Sequence, residues 1–217
     1  MAGLFEKDLR ILLQRKQTFV LFLVIAIVLG FTSEGTFVVG YTTFCILIFV
    51  MSTISYDEFD NGLSFLMTLP VTRRTYVMGK YVLCMLSCMA AWIFSVIVCI
   101  CENQVKGAGG VTKELLIEAV VLLPIVILLM DLMIPIQMKF GAEKSRIVMI
   151  AVMGIVGILV IGVKKAAETF DLPVDSIIEK MQGISDMQMI VGGVVFAIAA
   201  TLISMAISVK IMNRKEF

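Results

Sequence analysis

One acidic residue, Asp131, lies in the middle of a long apolar segment, where a carboxylate is rare. A charged side chain at the centre of a bilayer costs about 2.5–3.5 kcal/mol on insertion scales, so Asp131 must face other helices, a water-filled cavity or a protein partner. Its position is compatible with a proton or cation relay, with a polar contact between helices and with a pathway-lining group. A relay normally uses further ionisable groups along its path, and the other apolar segments contribute none.

Chemistry that depends on histidine or clustered cysteines is excluded by the composition. The chain has no histidine, the usual general base and metal ligand. None of the five cysteines has the further ligands that a zinc site needs, so we expect small buried hydrophobic side chains. The segment GAGGVTK at 107–113 lacks the spacing of a phosphate-binding loop. We therefore expect no catalytic residue, metal or cofactor in this chain, and any ATP and magnesium must be bound by a partner.

The elements that must position Asp131 are membrane-spanning helices. The chain has 217 residues that are 60% hydrophobic, against about 45–50% in soluble domains. A transmembrane helix needs about 20 mainly apolar residues, and six segments meet or nearly meet this requirement. The sequence thus predicts an all-α integral membrane protein with one transmembrane domain and no nucleic-acid partner. The predicted spans are residues 17–33, 37–54, 80–101, 115–138, 147–163 and 187–210.

The distribution of lysine and arginine predicts the orientation of the spans. With the N-terminus in the cytoplasm, thirteen of the 18 basic residues lie in cytoplasmic segments and five in outer ones. Cytoplasmic loops carry the excess of Lys and Arg, so both termini and the loop 55–79 are predicted to be cytoplasmic.

Two segments outside the spans have helical patterns. Residues 4–13 place Phe5, Leu9 and Leu12 on one face, which predicts an amphipathic helix at the membrane surface within residues 1–16. The alternative is that the first span starts early. The outer loop 164–186 contains a second apolar stripe at 173–181, which predicts a short helix on or in the outer leaflet; an ordinary solvated loop is the alternative.

Small residues recur at helical spacing in the last span. Gly193 and Ala197 are four residues apart, and so are Ala200, Ser204 and Ser208. Such patterns let helices approach closely. They indicate packing within the subunit or across a dimer.

The loop 55–79 is too rich in charge and aromatic residues for a plain connector. It opens with an acidic and aromatic cluster and continues through a short apolar segment to Pro70, after which Thr72 can cap a helix that starts with Arg73 and Arg74. Aromatic side chains can anchor in a partner's pocket while charges set the register. The alternative is an interfacial helix that lies on lipid. The predicted contact residues are Tyr56, Asp57, Glu58, Phe59, Asp60 and Asn61.

Two sequence motifs resemble those of ABC-2 type permeases of Gram-positive bacteria. The stretch FDNGLSFLMTLPVTRRTYVMGKY at 59–81 is similar to their acidic loop followed by small-Leu-Pro-x-Thr/Ser-Arg and Gly-Lys-Tyr. PIQMKFGAEKSR at 135–146 is similar to their Pro-x-x-x-Lys-Phe-Gly segment. The opening LFEKDLRILL is similar as well, and together with six predicted spans in similar places the resemblance covers nearly the whole chain.

The resemblance implies a type V exporter-like transmembrane domain in the bacterial plasma membrane. Such permeases dimerise, and each subunit docks a separate ATPase through a coupling helix between spans two and three. By this likeness residues 56–61 contact the ATPase, and Arg73 and Arg74 face lipid phosphates or the ATPase. Lys80 is expected with them as a basic residue at the membrane interface.

The sequence says least about the molecule that is transported. Similar permeases export amphipathic peptides such as phenol-soluble modulins, and others are linked to antimicrobial resistance, so we expect amphipathic or hydrophobic peptides. Drugs or lipids are alternative cargoes. Two other functions remain open, a stand-alone secondary transporter that uses Asp131 and a membrane anchor or immunity protein that transports nothing.

Overall fold

The computed structural model describes residues 2–32, 35–59, 62–105, 113–169 and 186–215, and helices account for nearly all of them. The all-α prediction is confirmed for these residues. The predicted outer helix at 173–181 lies outside the described residues. The helices are α1 (Ala2–Gln14), α2 (Lys16–Thr32), α3 (Gly35–Glu58), α4 (Gly62–Thr68), α5 (Arg73–Val105), α6 (Lys113–Thr169) and α7 (Asp186–Arg214).

Four stretches of the described helices are long and apolar enough to cross a membrane. The α1–α2 pair meets the same requirement only when both helices are counted as one bent span, which raises the number to five. The predicted fifth span, 147–163, lies in the second half of α6 and is not among these stretches, so six spans stay a prediction. The four stretches are Phe37–Glu58, Arg73–Val105, Leu115–Gly141 and Met187–Arg214.

A sharp corner separates the first two helices. α1 and α2 meet at Arg15 with a bend of 69°. Phe5 and Leu12 of α1 pack against the main hydrophobic core, whereas Leu13 is 64% exposed. The bend fits both a separate surface helix and a single broken span that begins within α1, so the surface helix stays a prediction.

α3 lies at the centre of the bundle, against α5 and α6. Its buried side chains include Leu47, Val50 and Ile54, which belong to the main core. Gln137 of α6 donates from Nε2 to Ser55 Oγ of α3 at 2.7 Å. Apolar packing thus holds α6 against α3, and the hydrogen bond between Gln137 and Ser55 fixes the register of the two helices.

The small residues of α7 pack inside the subunit. Ala197 and Ser208 are buried, and a Cβ atom added at Gly193 would lie 3.5 Å from Pro124 Cγ of α6. Close approach of helices at small residues is common in membranes. The opposite face of α7 is strongly exposed and apolar, with Phe196 at 64%.

α6 is interrupted at Gly141 rather than at either of its prolines. Gly141 has φ 75° and ψ 176°, a backbone region that essentially only glycine occupies. The segment around Pro124 and Pro135 continues as helix. Asp131 is therefore held by a helical segment that ends at a glycine hinge next to Glu58.

Gly141→Ala should destabilise the protein by about 1–3 kcal/mol, because alanine strongly disfavours this backbone conformation. The new Cβ atom would also lie 3.1 Å from Glu58 Oε2. Gly79→Ala is the matched control, since its Cβ would meet nothing within 4 Å and alanine in a helix should stabilise by about 0.5–1 kcal/mol. Thermal unfolding in detergent checks both, and equal midpoints for the two variants would contradict the account.

Candidate functional site

Lys80 is a buried cation between two carboxylates. Its Nζ lies 2.7 Å from Asp8 Oδ2 of α1 and 2.7 Å from Asp57 Oδ2 of α3, and it donates to Thr53 Oγ1 at 3.2 Å. Lys80 is only 2% exposed, and both carboxylates are similarly buried. A charge removed from water in this way needs both pairing and hydrogen bonds.

Two further side chains complete this ion-pair cluster, which we define as Lys7, Asp8, Asp57, Tyr76 and Lys80. Lys7 Nζ contacts Asp57 Oδ1 and lies 3.2 Å from Asp8 Oδ1. Tyr76 donates its hydroxyl to Asp57 Oδ2 at 3.0 Å. Two carboxylates face two ammonium groups, so the cluster is electrically balanced.

Helical spacing brings these groups together. Thr53 and Asp57 are four residues apart on α3, and Tyr76 and Lys80 are four residues apart on α5, so each pair lies on one helical face. Asp8 reaches the same point from α1. The cluster therefore ties α1 to the end of α3 and to the start of α5.

Two charges that the sequence places at a surface are buried in the structure. The sequence predicts Asp57 at a partner-binding surface and Lys80 at the membrane interface, but the structure encloses both. The physical reason is their mutual pairing, which needs Asp8 as the second acid. Periodicity places Asp8 on the polar side of α1 and gives no sign that a lysine 72 residues away will bind it.

The other predicted contact residues lie in different environments. α3 runs to Glu58, beyond its predicted end at residue 54, so Tyr56 and Glu58 are helical. The Tyr56 ring lies under the Arg15 guanidinium, 4.6 Å from its centroid, and Glu58 Oε1 binds Lys215 Nζ at 2.6 Å. Asp60 and Asn61 lie outside the described residues.

Large apolar side chains are exposed at the end of α3 and along α4. Phe59 is 72% and Phe65 71% exposed, whereas Leu63 and Leu66 of α4 are buried in the main core. The predicted order of short helix, proline turn and long helix is confirmed, and Thr75 N donates to Thr72 Oγ1 at 3.1 Å at the start of α5. We call Phe59, Phe65 and the exposed Leu69 the aromatic surface.

The two arginines after the proline turn have different surroundings. Arg73 donates from Nη1 to the carbonyl oxygens of Met212 and Asn213, at 3.1 and 2.7 Å. A cation at the C-terminus of a helix satisfies carbonyl groups and interacts favourably with the helix dipole. Arg73 thus holds the end of α7, while Arg74 is exposed.

Asp131 makes polar contacts between helices. It is 6% exposed, and its Oδ2 accepts a hydrogen bond from Thr201 Oγ1 of α7 at 2.8 Å. Ser204 donates to the Asp131 carbonyl oxygen and also lies 2.6 Å from the Tyr81 hydroxyl of α5. Among the described residues nothing donates to Asp131 Oδ1. The contacts support the interpretation of Asp131 as a polar contact between helices.

Sequence reasoning missed a further buried carboxylate, Glu102, in a membrane-spanning helix. Glu102 near the end of α5 is 5% exposed. A Cβ atom at Gly30 of α2 would overlap its carboxylate, so the glycine makes room for it. Glu102 lies just past the end of the predicted third span, so the sequence does not indicate that it is buried.

The described residues contain no group of three or more His, Cys, Asp or Glu residues that could hold a metal ion. The long apolar helices define a multi-pass membrane protein. A family model described as "ABC-2 family transporter protein" matches residues 3–213, so the chain belongs to this family. Its members are membrane subunits of transporters and typically work with an ATPase partner. Neither the curated proteins nor the solved structures show a match to the chain.

Replacing Lys80 by methionine should destabilise the protein by about 3–5 kcal/mol, because two buried carboxylates lose their shared cation. Arg74→Met is the matched control, since Arg74 is exposed and surface substitutions change stability by only about 0.5 kcal/mol. The measurement is the thermal unfolding midpoint in detergent. A Lys80→Met variant as stable as the control would show that the cluster does not hold the three helices.

Proposed function

We propose that this chain is the permease subunit of an ATP-binding cassette exporter, driven by a separate ATPase that docks on the aromatic surface. The observation that carries the proposal is the exposure of Phe59 and Phe65 at the same end of the bundle as the buried ion-pair cluster. Family membership supports the transport role. ATP and magnesium would be bound by the ATPase.

The aromatic surface has the properties of a docking site. Aromatic side chains that fill a partner's pocket contribute most of the binding energy in many interfaces. Phe65 projects from a helix whose opposite face, Leu63 and Leu66, is buried in the core, so its backbone is well anchored. Arg74, which is exposed at the start of α5, can set the orientation of the partner. Tyr56 and Glu58 already contact Arg15 and Lys215. Asp57 takes no direct part in this contact and positions the end of α3 instead.

The ion-pair cluster gives a route by which ATPase movement reaches the membrane helices. A displacement of α3 moves Asp57, and Lys80 joins Asp57 to both α5 and α1. Separating these charges without new partners would cost several kcal/mol. α1, the end of α3 and the start of α5 would therefore move together, which suits force transmission from a docked ATPase.

The proposed assembly is a homodimer in the bacterial plasma membrane with both termini in the cytoplasm. The proposed cargo is an amphipathic or hydrophobic peptide of the phenol-soluble modulin or antimicrobial type. The support for this cargo class is the resemblance to ABC-2 permeases, some of which export such peptides, and drugs or lipids are the alternative. The segment 173–181 is proposed to cover the outer side of the pathway.

Alanine at both Phe59 and Phe65 should release the ATPase, since each buried aromatic anchor is worth about 2 kcal/mol or more, which is about 30-fold in affinity. The measurement is co-purification from detergent extracts with the ATPase co-expressed. The double variant Phe37→Ala with Phe196→Ala is the control, because these rings are 57% and 64% exposed on membrane-spanning helices. An ATPase that stays bound to the first variant would contradict the docking site.

One observation favours a second candidate, a secondary transporter. Asp131 Oδ1 is buried without a hydrogen-bond partner among the described residues, as expected of a group that exchanges a proton or cation. In our proposal Asp131 is a polar contact.

Asp131→Asn should therefore keep ATP-driven export within about two- to threefold, because the amide can still accept from Thr201, a contact of only about 0.6 kcal/mol on average. Transport into inverted vesicles, measured with ATP and without a proton gradient, checks this. Loss of all transport in a variant that still binds its ATPase would favour the secondary transporter.

A further inference from the structure

A groove lies between α6 and α7 at the end of the bundle that carries the chain's C-terminus. It encloses about 600 Å³, and its apolar wall includes Pro135, Ile207 and Ile211. Ile207 is 48% exposed, and Ile203, one turn further into the membrane-spanning part of α7, is 62% exposed. The groove therefore continues into the apolar face that α7 presents to lipid.

Basic side chains surround this groove. Lys139 comes from α6, Lys210 and Arg214 lie four residues apart on α7, and Lys215 follows directly. Lys215 is paired with Glu58 Oε1 at 2.6 Å and donates to Met138 O at 3.3 Å. In the described part of the chain, the other three cations have no carboxylate within ion-pair distance.

We propose that this groove binds one anionic phospholipid. Its phosphate is held by Lys139, Lys210 and Arg214, and the start of an acyl chain lies along Pro135 and Ile207. Clusters of basic residues between membrane helices bind anionic headgroups, because several charge-assisted hydrogen bonds form on one phosphate. The volume is within the range of about 300–1,000 Å³ that small-molecule sites have, enough for a headgroup and part of a chain.

Other occupants suit the groove less well. A second copy of the chain packed symmetrically on this groove would bring like charges together, which is destabilising. The aromatic surface, the proposed site of the ATPase, is formed by α4 and the end of α3 and has no residue in this groove. Diffuse attraction to anionic lipid needs only surface charge, whereas this groove combines three cations with an apolar wall.

The site has a structural consequence for the permease. Lys215 links the groove to Glu58 at the end of α3, and Arg73 links the end of α7 to α5. A bound phospholipid neutralises the neighbouring cations and holds the end of α7 against α6. It thereby stabilises the end of the bundle on which the ion-pair cluster lies.

The test is native mass spectrometry of the full chain with phosphatidylglycerol and phosphatidylcholine of identical acyl chains. We compare wild type, Lys210→Gln with Arg214→Gln, and the control Lys16→Gln with Arg74→Gln. The control removes the same charge from exposed positions outside the groove. Each groove cation that contacts the bound phosphate should contribute about fivefold to the preference for the anionic lipid, so the groove variant should lose roughly 30-fold of the preference. The control should retain it within about fivefold.

Three results would overturn the proposal. An equal loss in both double variants would show diffuse attraction only. Displacement of the lipid by soluble glycerol phosphate would show a site for free phosphate. Displacement by the purified ATPase, together with loss of ATPase binding in the groove variant, would show a protein-docking surface. Thermal unfolding midpoints equal to wild type confirm that both variants fold.

Discussion

The pairing of Lys80 with Asp8 and Asp57 is the interaction on which the arrangement of this end of the bundle depends. An ammonium group that is 2% exposed is stable only if its charge is matched at close range. Both matching carboxylates come from other helices, so the electrostatic requirement fixes α1 and α3 against α5. Apolar packing alone permits small rotations and shifts of helices, and a charge with two partners from two directions does not.

The position of the aromatic surface follows from this constraint. α3 continues as helix to Glu58 because its last turn is held by Asp57 inside the cluster and by the Glu58–Lys215 pair at its end. α4 then packs Leu63 and Leu66 into the core and leaves Phe65 exposed. The buried charges hold the helices against one another, and the exposed aromatic rings can contact a partner. This arrangement suits a transporter subunit that is driven by an ATPase.

Much of the fold could be predicted from the sequence, because apolar length and helix-capping residues act locally. The boundaries of α4 and α5 follow from Pro70 and Thr72, and the amphipathic pattern of 4–13 predicts α1. The burial of Asp8 could not be predicted, since helical periodicity assigns every charged residue to the outer face. Its partner lies 72 residues away, and only the tertiary structure brings the two together. The interruption of α6 at Gly141 lies between the predicted end of the fourth span at residue 138 and the predicted start of the fifth at residue 147.

The most direct test of the central claim is site-specific photo-crosslinking in native membranes. A photoreactive phenylalanine analogue at position 59 should form a covalent product with the co-expressed ATPase, and the same analogue at position 196 should not. This result would place the ATPase on the surface that the buried ion pairs support. Products with lipid alone at position 59, as at position 196, would contradict the account and show that this end of α3 lies on the membrane.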